Sequence, residues 1–385
     1  MDSQYDIAVI GGGLVGKAAA FAAAQAGFSV VHIAPAAPPD RRTSALMGPS
    51  VDLMQKVGLI RDPAALGVPL SQIRIIDATG RLLRAPETLF DAAEFDLEAF
   101  GWNFANIRLG EAFDSAGADL ATLDIRQTSL AEAQRVGETW HLTLEDGTAC
   151  AAKLLVGADG KGSKVRKLAG IGVRQHDFKQ AALVCDLELE RPIGACSVEF
   201  HYPNGPFTLV PAGGARANLV WIDTPETLNA ARANPDALAT ALAQKSQRLF
   251  GKLVPLTGAH VFPLSSIFVN RAGKDAAVLV GEAAHAFPPI GAQGFNLGLR
   301  DVADLLRALD LANRSAYGWA GATADKYAHM RAADLMRTGT FVDTLFRSLL
   351  SDHLPAQALR TVGLWTLKTV PPLRRFAIGF GMGRS

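Results

Sequence analysis

The chain has 385 residues, of which 49% are hydrophobic and 19% charged, and its 38 basic and 37 acidic residues leave a formal charge of +1. This length predicts about two or three domains. The balanced charge and the apolar fraction exclude bulk disorder and a wholesale electrostatic nucleic-acid binder. Three cysteines without metal-ligand spacing argue against a disulfide framework or a zinc site, and they favour a reducing, cytosolic setting.

The N-terminal segment predicts a strand, a glycine turn, a helix and a second strand. Residues 5–10 form a short apolar run, the alanine-rich residues 14–26 end at Gly27, where a helix C-cap glycine belongs, and residues 28–33 form a second apolar run. This order opens a parallel α/β sheet. Charge near the N-terminus argues against a cleavable signal peptide, and no apolar run reaches the roughly 18 residues of a spanning helix.

The turn after the first strand contains the pattern GxGxxG at Gly11, Gly13 and Gly16. In a dinucleotide site the first glycine permits a tight turn, the second lets a pyrophosphate approach the backbone, and the third lets the helix pack on the sheet. A purely structural turn is the alternative, but the position between a strand and a helix favours dinucleotide binding. The acidic residue that usually binds the ribose is replaced by Ala34, so the ribose is held by other groups or more weakly.

The middle of the chain interrupts the α/β pattern. Alternating residues in 73–83 and 139–150 flank Thr79-Gly80 and Asp146-Gly147 and predict two hairpins, and residues 181–222 predict an inserted antiparallel sheet. A buried strand returns at 276–280, followed by a Gly/Pro-rich loop and a helix over 293–311. We therefore predict a discontinuous first domain (1–72, 98–175 and 273–325), an inserted substrate domain (73–97 and 176–272) and a C-terminal helical region (326–385).

Two further motifs follow the glycine turn. Residues 154–160 form an apolar run that ends in Asp159-Gly160, and residues 281–301 begin with Gly281-Glu282. Together with the glycine turn and the basic patch at residues 40–46, this order resembles the single-component flavin-dependent aromatic hydroxylases, most closely their ubiquinone-biosynthesis branch, the polyprenyl-phenol hydroxylases. The resemblance covers nearly the whole chain, and three ordered motifs are far more specific than one.

The resemblance implies an α/β fold with an FAD-binding, Rossmann-like domain of the glutathione-reductase type, an inserted antiparallel-sheet substrate domain and a helical C-terminal tail. It implies cofactor contacts from Gly11, Gly13, Gly16, Arg42, Asn106, Asp159, Gly160 and Glu282. For Arg42, a solvated surface position is the alternative. It places the flavin ring beside Pro289, Gly291, Gln293, Gly294, Phe295 and Asn296. The helix start there presents free N–H groups and a partial positive charge to a reduced flavin. Glu282 and Ala292 depart from the family's Asp and Gly.

The implied reaction uses FAD, NAD(P)H and O₂ to hydroxylate a hydrophobic aromatic substrate, a polyprenyl phenol of ubiquinone biosynthesis, through a flavin C4a-hydroperoxide. Only one dinucleotide fold is apparent, so NAD(P)H is expected to dock transiently on the FAD domain. The sequence identifies neither a catalytic base nor a metal site, and we interpret His201 and His285 as packed or surface residues. The sequence does not indicate which ring position is hydroxylated, how long the prenyl chain is, whether NADH or NADPH is used, or the oligomeric state.

A set of apolar residues in the inserted sheet either lines an apolar pocket or belongs to the core, and the core is favoured for most of them: Phe207, Leu209, Val210, Pro211, Val220 and Trp221.

The C-terminal tail has no acidic residue after Asp352, and basic residues punctuate its apolar stretches: Arg360, Lys368, Arg374, Arg375 and Arg384. This pattern fits either peripheral contact with the inner face of the cytoplasmic membrane or a helix packed on the body of the protein. Two other functions stay open. One is a hydroxylase of a small soluble aromatic compound; the other, suggested by Ala34, Glu282 and Ala292, is a non-catalytic subunit of a quinone-biosynthesis assembly.

Overall fold

The computed structural model describes residues 3–80, 86–289 and 293–350, together with 365, 372–375 and 379; at 293 and 341–350 it describes the backbone alone. The strands are β1 (Ser3–Ile10), β2 (Val30–Ile33), β3 (Thr43–Met47), β4 (Gly67–Leu70), β5 (Gln72–Asp77), β6 (Thr88–Asp91), β7 (Gly101–Ala105), β8 (Leu123–Arg126), β9 (Leu130–Val136), β10 (Thr139–Leu144), β11 (Ala149–Gly157), β12 (Val173–Leu189), β13 (Cys196–Tyr202), β14 (Gly205–Pro211), β15 (Arg216–Asp223), β16 (Leu253–Pro255), β17 (His260–Val269), β18 (Gly273–Lys274), β19 (Ala277–Leu279) and β20 (His285–Ala286). The α-helices are α1 (Leu14–Gln25), α2 (Gly48–Lys56), α3 (Pro63–Leu66), α4 (Asn106–Gly117), α5 (Lys164–Leu168), α6 (Pro225–Ala231), α7 (Pro235–Lys245), α8 (Gln293–Asp310) and α9 (Trp319–Leu350). Short 3₁₀ helices span Ala92–Phe95 and Gly281–Ala283.

The first sheet has the order β18-β19-β11-β1-β2-β8, and its central strands are parallel. The second half of β1 and most of β11 are apolar, as expected for a parallel sheet with helices on both faces. α1 packs against α4 and α8, and Gly27 follows its end with φ +83°. The predicted hairpin at Asp146-Gly147 joins β10 to β11, so the α/β opening and this hairpin are confirmed.

The second sheet has the order β20-β17-β12-β15-β14-β13-β5-β6, with β16 beside β12. Its side chains alternate between two faces. One face is fully buried beneath α6 and α7; we call it the covered face, and it includes Leu183, Phe200, Phe207, Leu209, Leu219 and Trp221. The alternate residues of the same strands lie on the opposite side, which we call the open face; several are partly exposed, whereas Ala182 and Ile222 are buried in a small apolar cluster against which Val220 packs. The partly exposed residues of the open face include Val184, Glu199, Thr208, Val210 and Val220.

A small third sheet, β3-β7-β4, bridges the other two. Asn103 on β7 donates from Nδ2 to the carbonyl oxygen of Pro211 at 2.8 Å and to Oδ1 of Asn218 at 2.7 Å. Asn218 lies two residues before Val220 on β15 and therefore shares the open face. The small sheet thus faces the open side of the second sheet.

The hairpin predicted over residues 73–83 has a different turn. β5 pairs with β6, so the connection spans 78–87, of which 81–85 lie outside the described residues. Oδ1 of Asp77 accepts hydrogen bonds from the backbone N–H and the hydroxyl of Thr79, and this local Asp turn ends the strand. The domain boundaries stay predictions; β12 and α9 run across two of them.

Candidate cofactor site

The glycine turn between β1 and α1 is built so closely that two of its positions accept only glycine. Gly11 has φ +127°, and a Cβ there would lie 2.2 Å from the carbonyl oxygen of Ala158. A Cβ on Gly16 would lie 2.0 Å from the carbonyl oxygen of Gly11. A Cβ on Gly13 would meet nothing within 4 Å, so the start of α1 opens onto free space. The turn therefore fits an anionic pyrophosphate at the N-terminus of the helix.

His32 on β2 supports this turn, and the sequence interpretation missed it. The side chain is buried, burial lowers its pKa, and the neutral ring donates from Nε2 to the carbonyl oxygen of Gly11 at 2.9 Å. Ala34 lies two residues after His32. A Cβ added to Gly12 would lie 2.9 Å from the Cβ of Ala34. The signal that could have revealed His32 is a single polar residue within the apolar run Val-Val-His-Ile.

Arg42 and Asn106, both predicted cofactor contacts, are joined by Asp40. Arg42 donates from Nε and Nη2 to the two carboxylate oxygens of Asp40, each at 2.8 Å, and Asn106 donates from Nδ2 to Oδ2 at 2.9 Å. Burial acts to raise the pKa of Asp40, but these hydrogen bonds outweigh it and lower the pKa to about 2. The Arg42 side chain is still 71% exposed, and the charge of Glu282 acts on it across the site. Asp40 therefore fixes a guanidinium that remains open to a ligand.

The Asp159-Gly160 motif forms the turn before α5. The Asp159 carboxylate accepts from the backbone N–H groups of Lys164 at 2.6 Å and Val165 at 3.1 Å, and from the Ser163 hydroxyl. Its side chain thus shapes the turn by capping the helix. Gly160 has φ +76°, and a Cβ there would meet nothing within 4 Å. The motif offers open space around Gly160 rather than a free carboxylate.

Arg166 connects this turn to the Gly281-Glu282 motif. It is buried, and it donates from Nη1 to the carbonyl oxygen of Ala283 at 2.8 Å and from Nη2 to that of Lys161 at 2.7 Å. Glu282 itself is exposed, in the 3₁₀ helix, with its charge near Arg42. Residues 240 positions apart in sequence therefore lie close enough for their charges to interact.

The predicted flavin-ring residues surround the start of α8. Pro289 and Gly294 are exposed, Phe295 is half-buried, and a Cβ on Gly294 would meet nothing within 4 Å. Gly291 lies outside the described residues, as does Ala292, and only the backbone of Gln293 is described. The first four N–H groups of a helix have no intrahelical partner, so the backbone here can meet an electron-rich ring.

Asn296, predicted beside the flavin ring, has side-chain contacts that hold the helix in place. Its Oδ1 accepts from the backbone N–H of Met47 at 2.9 Å and the hydroxyl of Ser50 at 2.7 Å, and its Nδ2 donates to the carbonyl oxygen of Ala45 at 2.9 Å. The side chain is buried and fastens α8 to β3 and α2. It therefore positions the helix start, and its place beside a flavin ring stays a prediction.

A buried ion network holds α8 and the Gly281-Glu282 motif in place. Asp301 accepts from the backbone N–H of Gly281 at 2.8 Å, lies 2.6 Å from Nε2 of His285, and pairs with Nε of Arg331 at 2.7 Å. Arg331 also pairs with Asp304 at 2.8 Å. Burial acts to raise the pKa of Asp301, but the charges of His285 and Arg331 lower it overall. His285 is packed, as predicted, and the network around it was not foreseen.

This glycine turn, together with the positive helix start and the motifs around it, defines a dinucleotide-binding flavoprotein. A family model described as an FAD binding domain matches residues 4–338, and the chain belongs to that family. The predicted fold class and FAD as the cofactor are thereby confirmed.

Along its length the chain is similar to two bacterial hydroxylases. It is 31% identical to 3-demethoxyubiquinol 3-hydroxylase of Escherichia coli K12, with 98% of each chain covered. It is 32% identical to ubiquinone hydroxylase UbiL of Rhodospirillum rubrum, with 99% of this chain and 90% of the relative covered. The crystal structure of p-nitrophenol 4-monooxygenase PnpA from Pseudomonas putida has the same fold, with a TM-score of 0.79 at 17% identity over 100% of this chain and 99% of that one.

Proposed function

We propose that the chain is an FAD-dependent monooxygenase that uses NAD(P)H and O₂ to hydroxylate the aromatic ring of a polyprenyl phenol in ubiquinone biosynthesis. The observation that carries the proposal is the 31% identity, over 98% of both chains, to a relative named for hydroxylating 3-demethoxyubiquinol. FAD, when bound, supplies the redox chemistry with NAD(P)H and O₂. The protein supplies binding, orientation and the exclusion of water.

The residues present fit FAD. Gly11, Gly13 and Gly16 provide an open, positively polarised helix start for the pyrophosphate. Arg42 and Glu282 offer a cation and a carboxylate on the same side of the site for the polar parts of the cofactor. The first turn of α8 provides N–H groups for the flavin ring. These contacts stay part of the proposal, as does a contact at Gly160.

The aromatic substrate binds, in this proposal, between the open face and the start of α8. Phe207, Leu209 and Trp221 are at most 1% exposed and belong to the core, whereas Val210 and Val220 lie partly exposed on the open face. A cavity of about 500 Å³ between α6 and α7 is lined by Trp221 on the covered face, away from the cofactor motifs. The open face is therefore the better apolar surface for a prenylated ring.

The first experiment is the visible spectrum of the purified protein with added FAD, followed by NADPH oxidation with and without a short-chain prenyl phenol and mass analysis of the product. We expect bound flavin, oxidation that accelerates with the phenol, and a product heavier by one oxygen atom. A protein that takes up no FAD at micromolar concentration contradicts the proposal and favours the accessory-subunit alternative.

A matched pair of variants tests where the substrate binds. Val220→Phe is expected to raise the KM for the phenol at least about tenfold, because the larger side chain occupies the space proposed for the substrate. Val136→Phe introduces the same change on β9, where the side chain is 58% exposed and distant from the site, and should leave KM unchanged. Equal KM values in both variants would place the substrate elsewhere.

Membrane contact through the tail, and membership of a quinone-biosynthesis assembly, are further parts of the proposal. In the part of the chain that the structure describes, no helix is long and apolar enough to cross a bilayer. Arg374 packs on the body, 2.9 Å from Glu94 and over the ring of Phe90, so this arginine supports the packed alternative. Arg375 beside it is exposed and available to an anionic surface. Sedimentation with vesicles containing anionic lipid, compared with neutral vesicles, distinguishes the two.

A further inference from the structure

A carboxylate and an imidazole lie side by side on the open face. Glu199 and His201 are two residues apart on β13, so both project to the same side of the sheet. Nε2 of His201 lies 2.6 Å from Oε1 of Glu199. The side chain of Glu199 is 22% exposed and that of His201 9% exposed. The pair is therefore partly withdrawn from water and still reachable by a ligand.

The strand register places Glu199 in the proposed substrate region. Glu199 pairs with Thr208 on β14, Thr208 with Val220 on β15, and Val220 with Val184 on β12. These side chains form one cross-strand row on the open face. Phe200, between Glu199 and His201, is fully buried on the covered face, which fixes the alternation. The row continues beyond Glu199 to Ile75 on β5, so the carboxylate lies within a row of otherwise uncharged side chains.

The same face is turned toward the flavin-ring residues. Asn218, two residues from Val220, accepts a hydrogen bond from Asn103 on β7. β7 pairs with β3, and Asn296 at the start of α8 bonds the backbone of β3 at Ala45 and Met47. The row of Glu199 is displaced from Asn218 by two residues, or about 7 Å along the strands. The polar side chains that this face offers to a ring beside α8 are therefore Asn218, Asp186, whose Oδ1 already accepts from Nδ2 of Asn218 at 2.6 Å, and Glu199 two strands farther along the sheet.

We propose that Glu199 accepts the hydroxyl proton of the phenol, with His201 as its positioning residue; this inference rests on the proposed function. The O–H bond of the phenol breaks, its electron pair stays on oxygen and enriches the ring, and the proton goes to Oε2 of Glu199. Among the described residues Oε2 has no hydrogen-bond partner. When the newly oxygenated ring carbon releases its own proton to water, Glu199 returns its proton to the phenolic oxygen, so the carboxylate is regenerated.

The neighbouring strands determine which titratable groups lie beside Glu199 and His201. Of the strands paired with β13, β14 carries no titratable side chain, and β5 places Asp77 beside His201 in register. Asp77 is engaged with Thr79 at the end of its strand. His201 donates from Nε2 to Glu199 and so holds Oε2 toward the open face.

The test compares Glu199→Gln with Glu188→Gln, an equivalent change at an exposed position of β12 in the same sheet. At neutral pH we expect hydroxylation by Glu199→Gln to fall about 100-fold or more, the usual contribution of a positioned base. The loss should shrink at alkaline pH, where the phenol ionises without help. FAD content and Glu188→Gln activity should stay at the wild-type level. Unchanged activity, or an equal loss at every pH, overturns the inference.

A binding measurement tests the same pair without turnover. Ultraviolet difference spectra report the pH at which a bound prenyl phenol ionises. Beside a carboxylate the phenolate is disfavoured by like charge, so the bound phenol should ionise about one pH unit lower in Glu199→Gln than in the wild type. Identical values in both proteins overturn the role of Glu199, even if the wild type hydroxylates nothing. A wild type that hydroxylates nothing while the two values differ instead overturns the proposed function.

His201 is tested by a conservative pair. His201→Asn keeps a donor for Glu199, whereas His201→Phe removes it. We expect the asparagine variant to retain at least about tenfold more activity than the phenylalanine variant, with similar KM values in both, because the residue acts on kcat through Glu199. Equal kcat values would reduce His201 to a packing residue.

Discussion

At the scale of single residues, the glycines of the cofactor turn belong to one sequence pattern but are required for different reasons. A Cβ on Gly16 would lie 2.0 Å from the backbone oxygen of Gly11, whereas Gly13 has an ordinary φ of −70° and a Cβ there would meet nothing within 4 Å. The fold of the apo protein therefore needs Gly16, and only the ligand needs Gly13. His32 and Asp40 add polar contacts to the same turn and to Arg42.

Gly13→Ala and Gly16→Ala should separate these roles. Gly13→Ala is expected to leave the Tm of the apo protein unchanged and to weaken FAD binding at least about tenfold, because the new methyl group occupies the space of the phosphate. Gly16→Ala should lower the free energy of unfolding by about 1–3 kcal/mol, the usual range for an overpacked site. Thermal unfolding of both apo variants and fluorescence titration with FAD provide the measurements. An unaltered FAD affinity in Gly13→Ala would remove the pyrophosphate from this turn.

At the scale of elements, α8 is positioned by side chains that do not touch the ligand. Asn296 bonds it to β3, and Asp301 and Asp304 connect it to Arg331 on α9. Arg331 is 1% exposed, and its pKa is raised because the nearby carboxylates, Asp301 first, outweigh the effect of burial. Such a network holds a single arrangement of the helices as long as every charge is paired.

Arg331→Met should therefore be strongly destabilising. Removing Arg331 takes away the buried cation shared by Asp301 and Asp304 and leaves them, among the described residues, only His285 and Arg307, respectively, as side-chain partners, which costs about 3–5 kcal/mol. Arg271→Met is the control, because Arg271 and Asp325 form an exposed pair, 52% and 63% exposed, that contributes at most about 1 kcal/mol. Urea denaturation of both variants gives the two free energies of unfolding. Similar values would mean that the network contributes no more than a surface pair.

Local patterns predicted the parts of the fold and site that depend on neighbouring residues. The first strand, the alanine-rich helix and the hairpin at Asp146-Gly147 follow from periodicity and turn chemistry. The contacts of Asp40 with Asn106 and of His285 with Asp301 join residues 66 and 16 positions apart, and no local pattern encodes them. The alternation of β14 could be read from the sequence, but the choice of covered face depends on where α6 and α7 pack. This is why Val210 could not be separated from Leu209.

At the scale of the whole molecule, α9 connects the two large sheets. Its first half packs on the first sheet, where a Cβ on Gly273 would lie 2.3 Å from the carbonyl oxygen of Ala324. Farther along, a Cβ on Gly339 would lie 2.3 Å from the ring of Phe268 on β17 of the second sheet. Phe268 in turn packs edge-on against Phe287, 4.7 Å between ring centres, beside the flavin-ring segment.

Two glycine substitutions in α9 should have opposite effects. A Cβ on Gly321 would meet nothing within 4 Å, so Gly321→Ala should raise the free energy of unfolding by about 0.5–1 kcal/mol through helix propensity alone. Gly339→Ala gains the same propensity but displaces Phe268 from Phe287, and we expect it to be less stable than the wild type. Differential scanning calorimetry of the two variants decides the point. A stabilised Gly339→Ala would show that the contact with Phe268 is loose.

The 32 residues of α9 also act as a strut, that is, a rigid connection between the two sheets. At 1.5 Å per residue the helix is about 48 Å long, and it contacts each sheet at a point where a glycine permits close approach. Two bodies joined in this way resist swinging apart on the side of the strut. Admission of a bulky prenylated substrate is therefore expected not to require a hinge motion between the two sheets.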